Sequence, residues 1–181
     1  PTGNIQRIVD KQSANGYIFR IMATGRLNFR ILDPAAYDVF GNTILSANTW
    51  YHVVAQRNGS TLRLFLNGVQ DNATAGANTD LSDTAAFFIS NSLNPSEYFN
   101  GTIDEVALWN ISLSSDKISG HAGAKIIDYS QYGNNGTRNF NSTSDFGHNF
   151  TYGKFGKGLV FDGVNDWINA TTFSPFVNTF S

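Results

Sequence analysis

The stretch "NTWYHVVAQRNGSTLRLFLNGVQ", Asn48 to Gln70, contains the clearest strand pair in the sequence. It predicts a β-hairpin in which residues 50–56 and 61–66 are joined at Asn58-Gly59, because Asn-Gly favours the tight turns that match the twist of paired strands. Leucine recurs at alternate positions of the second strand, which indicates that one face of it is turned towards a core. A second Asn-Gly, at residues 67–68, turns the chain again.

Short strands are also predicted on both sides of this hairpin. They cover residues 17–22, 26–32, 85–90, 101–110, 157–163 and 166–171, and the last two are expected to pair around residues 163–165. Only residues 113–126 have a helical pattern, with Ser114 or Ser115 as the N-cap and with Gly120 and Gly123 limiting the helix to a turn or two. Many short strands separated by Gly and Asn turns predict an all-β, antiparallel sandwich or jelly roll.

The composition favours a folded extracellular β-protein. Hydrophobic residues make up 41% of the 181 residues and charged residues only 14%, which is well below the usual quarter. The net charge is −2 and basic residues do not cluster, so nucleic acid and anionic membranes are poor partners. The absence of cysteine excludes disulfides and thiolate metal sites. No apolar run is long enough for a membrane span.

Two blocks of the sequence resemble one known family. The opening hairpin, followed by "SEYFNGTIDEVALWNISLSSDKI", is similar to the second half of laminin-G-like domains of the concanavalin A-like lectin/glucanase superfamily. The segments "DYSQYGNNGT" and "YGKFGKGLVFDGVNDWINAT" are similar to the first part of the same domain. The resemblance implies a concanavalin A-like jelly roll.

The two blocks stand in swapped order. Residues 1–114 resemble the late strands of the family and residues 128–181 the early strands, with a short helical or linker segment at 115–127. Two family strands, one before "DYS" and one after "VNTFS", have no counterpart, and we expect the chain to be a segment of a longer precursor. Three explanations stay open: a tandem array cut out of phase, a circular permutant, or strands shared between neighbouring subunits.

A sandwich that lacks an internal strand exposes unpaired backbone groups and an apolar groove, which a neighbour's strand can cover. Because such exchange runs head to tail, it need not close and can build a filament.

Catalysis is not expected. Glycoside hydrolases of the superfamily carry paired carboxylates in a Glu-x-Asp-x-x-Glu strand, whereas the two glutamates here, Glu97 and Glu105, belong to no such run. His52, His121 and His148 lack a Ser or Cys partner motif, and His52 is expected to pack in the interior.

Calcium is expected as a structural cofactor. The resemblance implies an ion that joins the early loops to the closing strand, and Asp/Asn/Gly loops supply the oxygen ligands that Ca²⁺ prefers. The alternative is that these residues only form turns. The predicted ligands are Asp104, Asp128, Asp162, Gly163, Asn165 and Asp166.

Acceptor motifs for N-linked glycans are unusually frequent, since eight of twenty-one asparagines begin Asn-x-Ser/Thr. Most lie in predicted turns, where an oligosaccharide stays in water, although Asn-Gly-Ser/Thr is also good turn chemistry. The predicted glycosylation sites are Asn58, Asn72, Asn100, Asn110, Asn135, Asn141, Asn149 and Asn169.

Exposed aromatic rings are a further candidate, because a ring face can stack on a sugar. The candidates are Tyr98, Phe99, Tyr132, Phe150 and Tyr152, whereas Trp50, Trp109 and Trp167 are expected in the core.

These observations favour a non-catalytic structural protein of the cell surface, glycosylated and assembled from copies of itself. The alternative is a carbohydrate-binding or adhesion module of a large surface protein, with glycans as partners. Neither nucleic acid nor a membrane span is expected.

Overall fold

The computed structural model describes residues 3–11, 15–33, 35–78, 81, 85–90, 96–123, 125–126, 136–139, 150–152, 157–159 and 167–170. The chain divides into two compact units. The first comprises Pro1–Thr49, Val53–Leu66 and Gln70–Leu113, and the second comprises Trp50–His52, Asn67–Val69 and Ser114–Ser181.

The first unit contains a five-stranded antiparallel sheet. Its strands are β1 (Gln6–Lys11), β2 (Tyr17–Ile21), β3 (Arg26–Asp33), β4 (Ala35–Ile44) and β8 (Phe88–Ile89), in the order β4-β3-β2-β1-β8. Between β2 and β3 the chain turns at Gly25, whose φ of 80° suits glycine and whose N–H donates to the Met22 carbonyl at 2.8 Å. Strands β2 and β3 were predicted within one residue, whereas β1 and β4 were not predicted.

The predicted hairpin is confirmed as part of a second, three-stranded sheet. Strand β5 (Val53–Asn58) pairs antiparallel with β6 (Thr61–Leu66), and β7 (Val69–Ala75) lies on the other side of β6. The turn is at Asn58-Gly59, where Gly59 has a φ of 56°. Strand β5 begins three residues later than predicted.

The core lies between these two sheets, because β6 lies against β3 and β4. Across the five-stranded sheet, Val9, Phe19, Phe29 and Val39 are direct cross-strand neighbours and therefore share one face. Phe19, Phe29 and Val39 are buried, as are Leu62 and Leu64 of β6. The predicted antiparallel β-sandwich of jelly-roll type is confirmed.

The second unit contains the helix α1 (Ser115–His121). Ser114 is the N-cap, and its hydroxyl accepts a hydrogen bond from the Lys117 N–H at 3.4 Å. The helix ends five residues earlier than predicted, because the chain turns at Gly123, whose φ is 69°. Ile118 is the helix residue whose side chain is buried.

The described parts of the last two predicted strands have other partners than each other. Among the described strands, β12 (Lys157–Leu159) pairs with β11 (Phe150–Tyr152). Strand β13 (Trp167–Ala170) instead pairs with β10 (Gly136–Asn139), which also pairs with β9 (Lys125–Ile126).

The strand predicted at residues 101–110 is also wrong. Residues 102–109 have no regular secondary structure, and their apolar side chains are largely in solvent. Val106 is 46% exposed, Leu108 70% and Trp109 43%. Trp50 is 59% exposed, so the expectation that Trp50 and Trp109 lie in the core is wrong, while the side chain of Trp167 lies outside the described residues.

Candidate functional site

One face of the five-stranded sheet carries charged side chains. The cross-strand register places Asp10, Ile18, Arg30 and Asp38 in one row, and Arg7, Arg20, Asn28 and Phe40 in the next. Residues directly opposite in a sheet point to the same side, so the charges of four strands meet on the face opposite the core. With Glu97 from the loop at residues 96–100, we call them the arginine–carboxylate cluster: Arg7, Asp10, Arg20, Asn28, Arg30, Asp38 and Glu97.

Arg7 joins the loop to the sheet. Its Nη1 lies 3.0 Å from Asp10 Oδ2, and its Nε donates to Glu97 Oε2. The backbone repeats this connection, since the Arg7 N–H donates to the Glu97 carbonyl at 2.8 Å and the Asn100 N–H donates to Gln6 Oε1 at 3.1 Å. The side chains of Arg7 and Asp10 are 6% and 0% exposed, so this ion pair is protected from solvent.

Asp38 is the acceptor at the other end of the cluster. Arg30 approaches it in a bidentate manner, with Nε 2.9 Å from Oδ1 and Nη2 2.7 Å from Oδ2, and Asn28 donates to Oδ1 at 2.9 Å. Burial alone would raise the pKa of Asp38, but the hydrogen bonds from Arg30 and Asn28 hold that pKa below its usual value. Asn28 also accepts from Arg20 Nε at 2.8 Å and so links the two arginines.

Arg20 is buried without a carboxylate at hydrogen-bonding distance among its described contacts. Burial and the nearby charges of Arg7 and Arg30 lower its pKa, while Glu97 and Asp38 partly compensate. Three arginines and three carboxylates balance, so the cluster as a whole is close to neutral. A neutral, hydrogen-bonded network is the form in which charges tolerate burial.

Two carboxylates of the cluster, Asp38 and Glu97, are held by arginines. A general acid requires a carboxyl whose pKa is raised, whereas the pKa of Asp38 is lowered. Of the two glutamates, Glu97 is bound to Arg7, and Glu105 lies exposed in the irregular stretch at residues 102–109. The described contacts of the cluster link β2 to β3 and β3 to β4, and they fasten the loop at residues 96–100 to β1.

A second polar contact ties β7 to β4. The Asp71 carboxylate accepts the Asn42 N–H at 2.8 Å and the Thr43 hydroxyl at 2.7 Å, and Asn42 Nδ2 donates to the Asp71 carbonyl at 2.7 Å. A Cβ at Gly41 would lie 2.6 Å from Asp71 Oδ2, so a side chain there would displace the Asp71 carboxylate.

Of the predicted calcium ligands, only Asp104 lies within the described residues. Its side chain is exposed, and Oδ1 accepts the Glu105 N–H at 2.9 Å. In the part of the chain that the structure describes, no three His, Cys, Asp or Glu residues form a metal-binding group. The remaining predicted ligands, Asp128, Asp162, Gly163, Asn165 and Asp166, lie outside the described residues.

The predicted glycosylation sites fall into two groups. The side chains of Asn58, Asn72, Asn100 and Asn110 are described, and all but Asn72 are exposed. Of the others, Asn169 is described only as backbone, paired with Thr137 in β13 and β10. Asn135, Asn141 and Asn149 lie outside the described residues.

Of the five aromatic candidates for sugar binding, the structure describes the side chains of two, Tyr98 and Phe99. Tyr98 is 53% exposed, whereas the half-buried ring of Phe99 lies so close to Gly101 that a Cβ there would be 2.8 Å from it. Tyr132 and the side chains of Phe150 and Tyr152 lie outside the described residues.

His52 lies in the second unit and is half-buried. Its backbone N–H and carbonyl bind the side-chain oxygen and the N–H of Asn67 at 3.0 and 2.7 Å. Burial and, to a smaller extent, the proximity of His121 lower the pKa of His52.

Sequence reasoning missed the arginine–carboxylate cluster. The available signal was the alternation of Arg20, Arg30 and Asp38 with apolar residues inside strands, which is typical of a sheet with one polar face. In the described residues, no helix is long and apolar enough to cross a membrane.

Comparison with known proteins matches residues 1–119 to the Laminin_G_3 family, described as the concanavalin A-like lectin/glucanases superfamily. No curated protein matches. Among solved structures, the chain is similar to residues 221–444 of an S-layer domain-containing protein from Clostridium thermocellum, with 21% identity and a TM-score of 0.41. The match covers 65% of this chain and 63% of that one, so the chain spans less than two thirds of that structure.

Proposed function

The chain belongs to the concanavalin A-like lectin/glucanase superfamily, and from that membership we propose that it is a non-catalytic subunit or repeat of a glycosylated surface filament or array. A laminin-G-like domain fits an extracellular structural or carbohydrate-binding module. We propose the structural role first, with neighbouring sandwiches completing each other by sharing strands.

The observation that carries this proposal is the segment at residues 103–111. It alternates like a strand, yet residues 103–108 belong to none of the described strands, and Leu108 and Ile111 are 70% and 64% exposed. Contiguous exposed apolar residues are typical of an interaction site. An extended segment of this kind gains backbone hydrogen bonds and buries its apolar side chains when it adds to the edge of a sheet in another copy.

Assembly by this route is heterologous, because the segment of one copy meets a different surface of the next. Heterologous contacts that do not close produce open filaments. Within a tandem array the same contact would join successive repeats.

The test uses Ala107, which is exposed in the centre of the segment. Ala107→Pro removes a backbone N–H and blocks strand addition, while Ala107→Val keeps the N–H and favours a strand. Light scattering and negative-stain microscopy should show concentration-dependent assembly of the wild type and of Ala107→Val, and monomers of Ala107→Pro. Monomers of all three proteins at high concentration would overturn the proposal.

Carbohydrate binding is the second candidate, favoured by the exposure of Trp50 (59%) and Tyr98 (53%). Exposed aromatic rings offer faces on which sugars stack. Binding to a glycan array that is lost in Trp50→Ala or Tyr98→Ala, without loss of thermal stability, would support this role. Equal binding by both variants would contradict it.

A structural calcium ion is proposed as part of either role. Its support is the donor set, which offers carboxylate, amide and carbonyl oxygens, and the exposure of the Asp104 side chain. An ion bound only by the folded chain at a hundred times its Kd stabilises by about 2.7 kcal/mol. The melting temperature should therefore rise with Ca²⁺, fall with EGTA and respond less in Asp104→Asn. No response at millimolar Ca²⁺ would contradict the site.

A further inference from the structure

Four acceptor asparagines have described side chains: Asn58, Asn72, Asn100 and Asn110. They differ in whether Nδ2, the atom that a glycan would modify, already donates a hydrogen bond. N-linked glycosylation joins the side-chain Nδ2 to a sugar, and the hydroxyl residue two positions later completes the acceptor motif. The sequence motif is the same in all four, so only the surroundings of Nδ2 and of the hydroxyl distinguish them.

The Nδ2 of Asn72 already donates a hydrogen bond. The residue lies in β7, where Nδ2 donates to the Phe40 carbonyl at 2.8 Å and Oδ1 accepts the Ala73 N–H at 2.8 Å. Both Asn72 and Thr74, which completes its motif, are half-buried. To enter a transferase active site, this amide has to leave the Phe40 carbonyl, which breaks the link between β7 and β4 beside the contact that Asp71 makes with Asn42.

For Asn58, Asn100 and Asn110, no contact within the described residues uses the side-chain Nδ2. Asn58 is at the β5–β6 turn, Asn100 is the last residue of the fastened loop, and Asn110 is at a bend before α1; all three are exposed. The hydroxyl residues that complete their motifs, Ser60, Thr102 and Ser112, are exposed as well.

The backbone of Asn100 is held by a hydrogen bond, whereas its side chain is exposed. Its N–H donates to Gln6 Oε1 at 3.1 Å, which holds the chain in place. Tyr98, two residues earlier, is 53% exposed.

We propose that Asn58, Asn100 and Asn110 carry N-linked oligosaccharides in the folded protein and that Asn72 does not. The donor is an oligosaccharide linked to a lipid pyrophosphate. The asparagine Nδ2 forms a bond to the anomeric carbon, the bond from that carbon to the phosphate oxygen breaks, and the lipid pyrophosphate leaves with the electron pair. The displaced amide proton passes to a base of the transferase. The selection of sites rests on the surface location that the proposed function includes.

The test starts from the full chain made without glycans and folded. It is incubated with a single-subunit oligosaccharyltransferase and its lipid-linked donor, and the occupancy of each site is read by peptide mass spectrometry. Because Asn72 must first open locally, its initial rate should be at least about tenfold below those of the other three. A peptide spanning residues 69–76 should accept the sugar readily, since it lacks the Phe40 carbonyl to which Asn72 Nδ2 donates in the folded chain.

Matched variants remove the hydroxyl of each motif and keep the asparagine. Ser60→Ala, Thr102→Ala and Ser112→Ala should each lose one glycan from the intact mass, whereas Thr74→Ala should lose none. The proposal would be overturned if Asn72 in the folded chain were modified at the rate of the peptide. It would also be overturned if Asn58, Asn100 or Asn110 were modified no faster than Asn72. The masses are independent of assembly, so glycosylated monomers would refute the filament and leave this inference standing.

Discussion

Replacing Arg7 with methionine tests whether the arginine–carboxylate cluster stabilises the fold. Methionine keeps an unbranched apolar stem but removes the guanidinium that Asp10 and Glu97 share. Their side chains are 0% and 13% exposed, so water replaces the lost cation at Asp10 not at all and at Glu97 only in part. Removing one partner of a buried ion pair costs about 3–5 kcal/mol. Both acidic residues have further interactions, so we expect the lower value, about 3 kcal/mol.

The assay is urea unfolding followed by circular dichroism. With a slope of about 2 kcal/mol/M, the loss lowers the midpoint by about 1.5 M. The melting temperature should fall by about 9 °C, at roughly 3 °C per kcal/mol for a chain of this size.

Arg63→Met is the matched control. Arg63 lies in β6, has no described ion pair and is half-exposed, so its loss should cost less than about 0.5 kcal/mol. If Arg7→Met lowered the free energy of unfolding by no more than about 1 kcal/mol, the cluster would behave like a hydrated surface ion pair. That result would refute the argument from burial.

Three further perturbations follow from the geometry. Asp71→Ala leaves the Asn42 N–H without its acceptor and should lower the free energy of unfolding by about 1 kcal/mol; an unchanged urea midpoint would contradict this. Gly68→Ala should lower the melting temperature more than Gly59→Ala. Both glycines have positive φ, but a Cβ at Gly68 would lie 2.9 Å from the Ser119 Cα, whereas one at Gly59 has nothing within 4 Å. Because the pKa of His52 is lowered on folding, its contribution to stability is complete above the unfolded pKa of about 6.5 and is lost as the pH falls through the folded pKa. His52→Gln should therefore flatten the dependence of the melting temperature on pH between about 7 and 5, and an identical slope in the variant would contradict it.

The elements predicted correctly are those determined by nearby residues. The hairpin of β5 and β6 requires only the turn at Asn58-Gly59 and alternating apolar residues on either side of it. Helix α1 likewise requires its cap at Ser114 and a chain reversal at Gly123. Such features need no knowledge of distant partners, so local patterns suffice.

Strand β4 shows why other elements were missed. Its sequence, "AAYDVFGNTI", mixes apolar and polar residues and follows a proline, which weakens the local preference for a strand. What places it in the sheet is its register with β3, in which Asp38 meets Arg30. The same register brings Asp38 to Arg30, so this contact of the arginine–carboxylate cluster could not be predicted before the strand was placed.

The segment at residues 101–110 is the opposite case, because its pattern favours a strand more clearly than that of β4. A helix forms its hydrogen bonds within its own segment, whereas a strand forms them with a neighbour. Alternation therefore shows that a segment is able to enter a sheet, and only the availability of a free edge decides whether it does. Strand β4 has a weak strand pattern but pairs with the edge of β3. Residues 102–108 have a strong strand pattern but belong to none of the described strands. If another copy supplies a free edge, the same residues become ordered as a strand, and protection of the Val106 and Leu108 amides from hydrogen exchange should rise with protein concentration. Protection that is independent of concentration would mean that no second copy pairs with this segment.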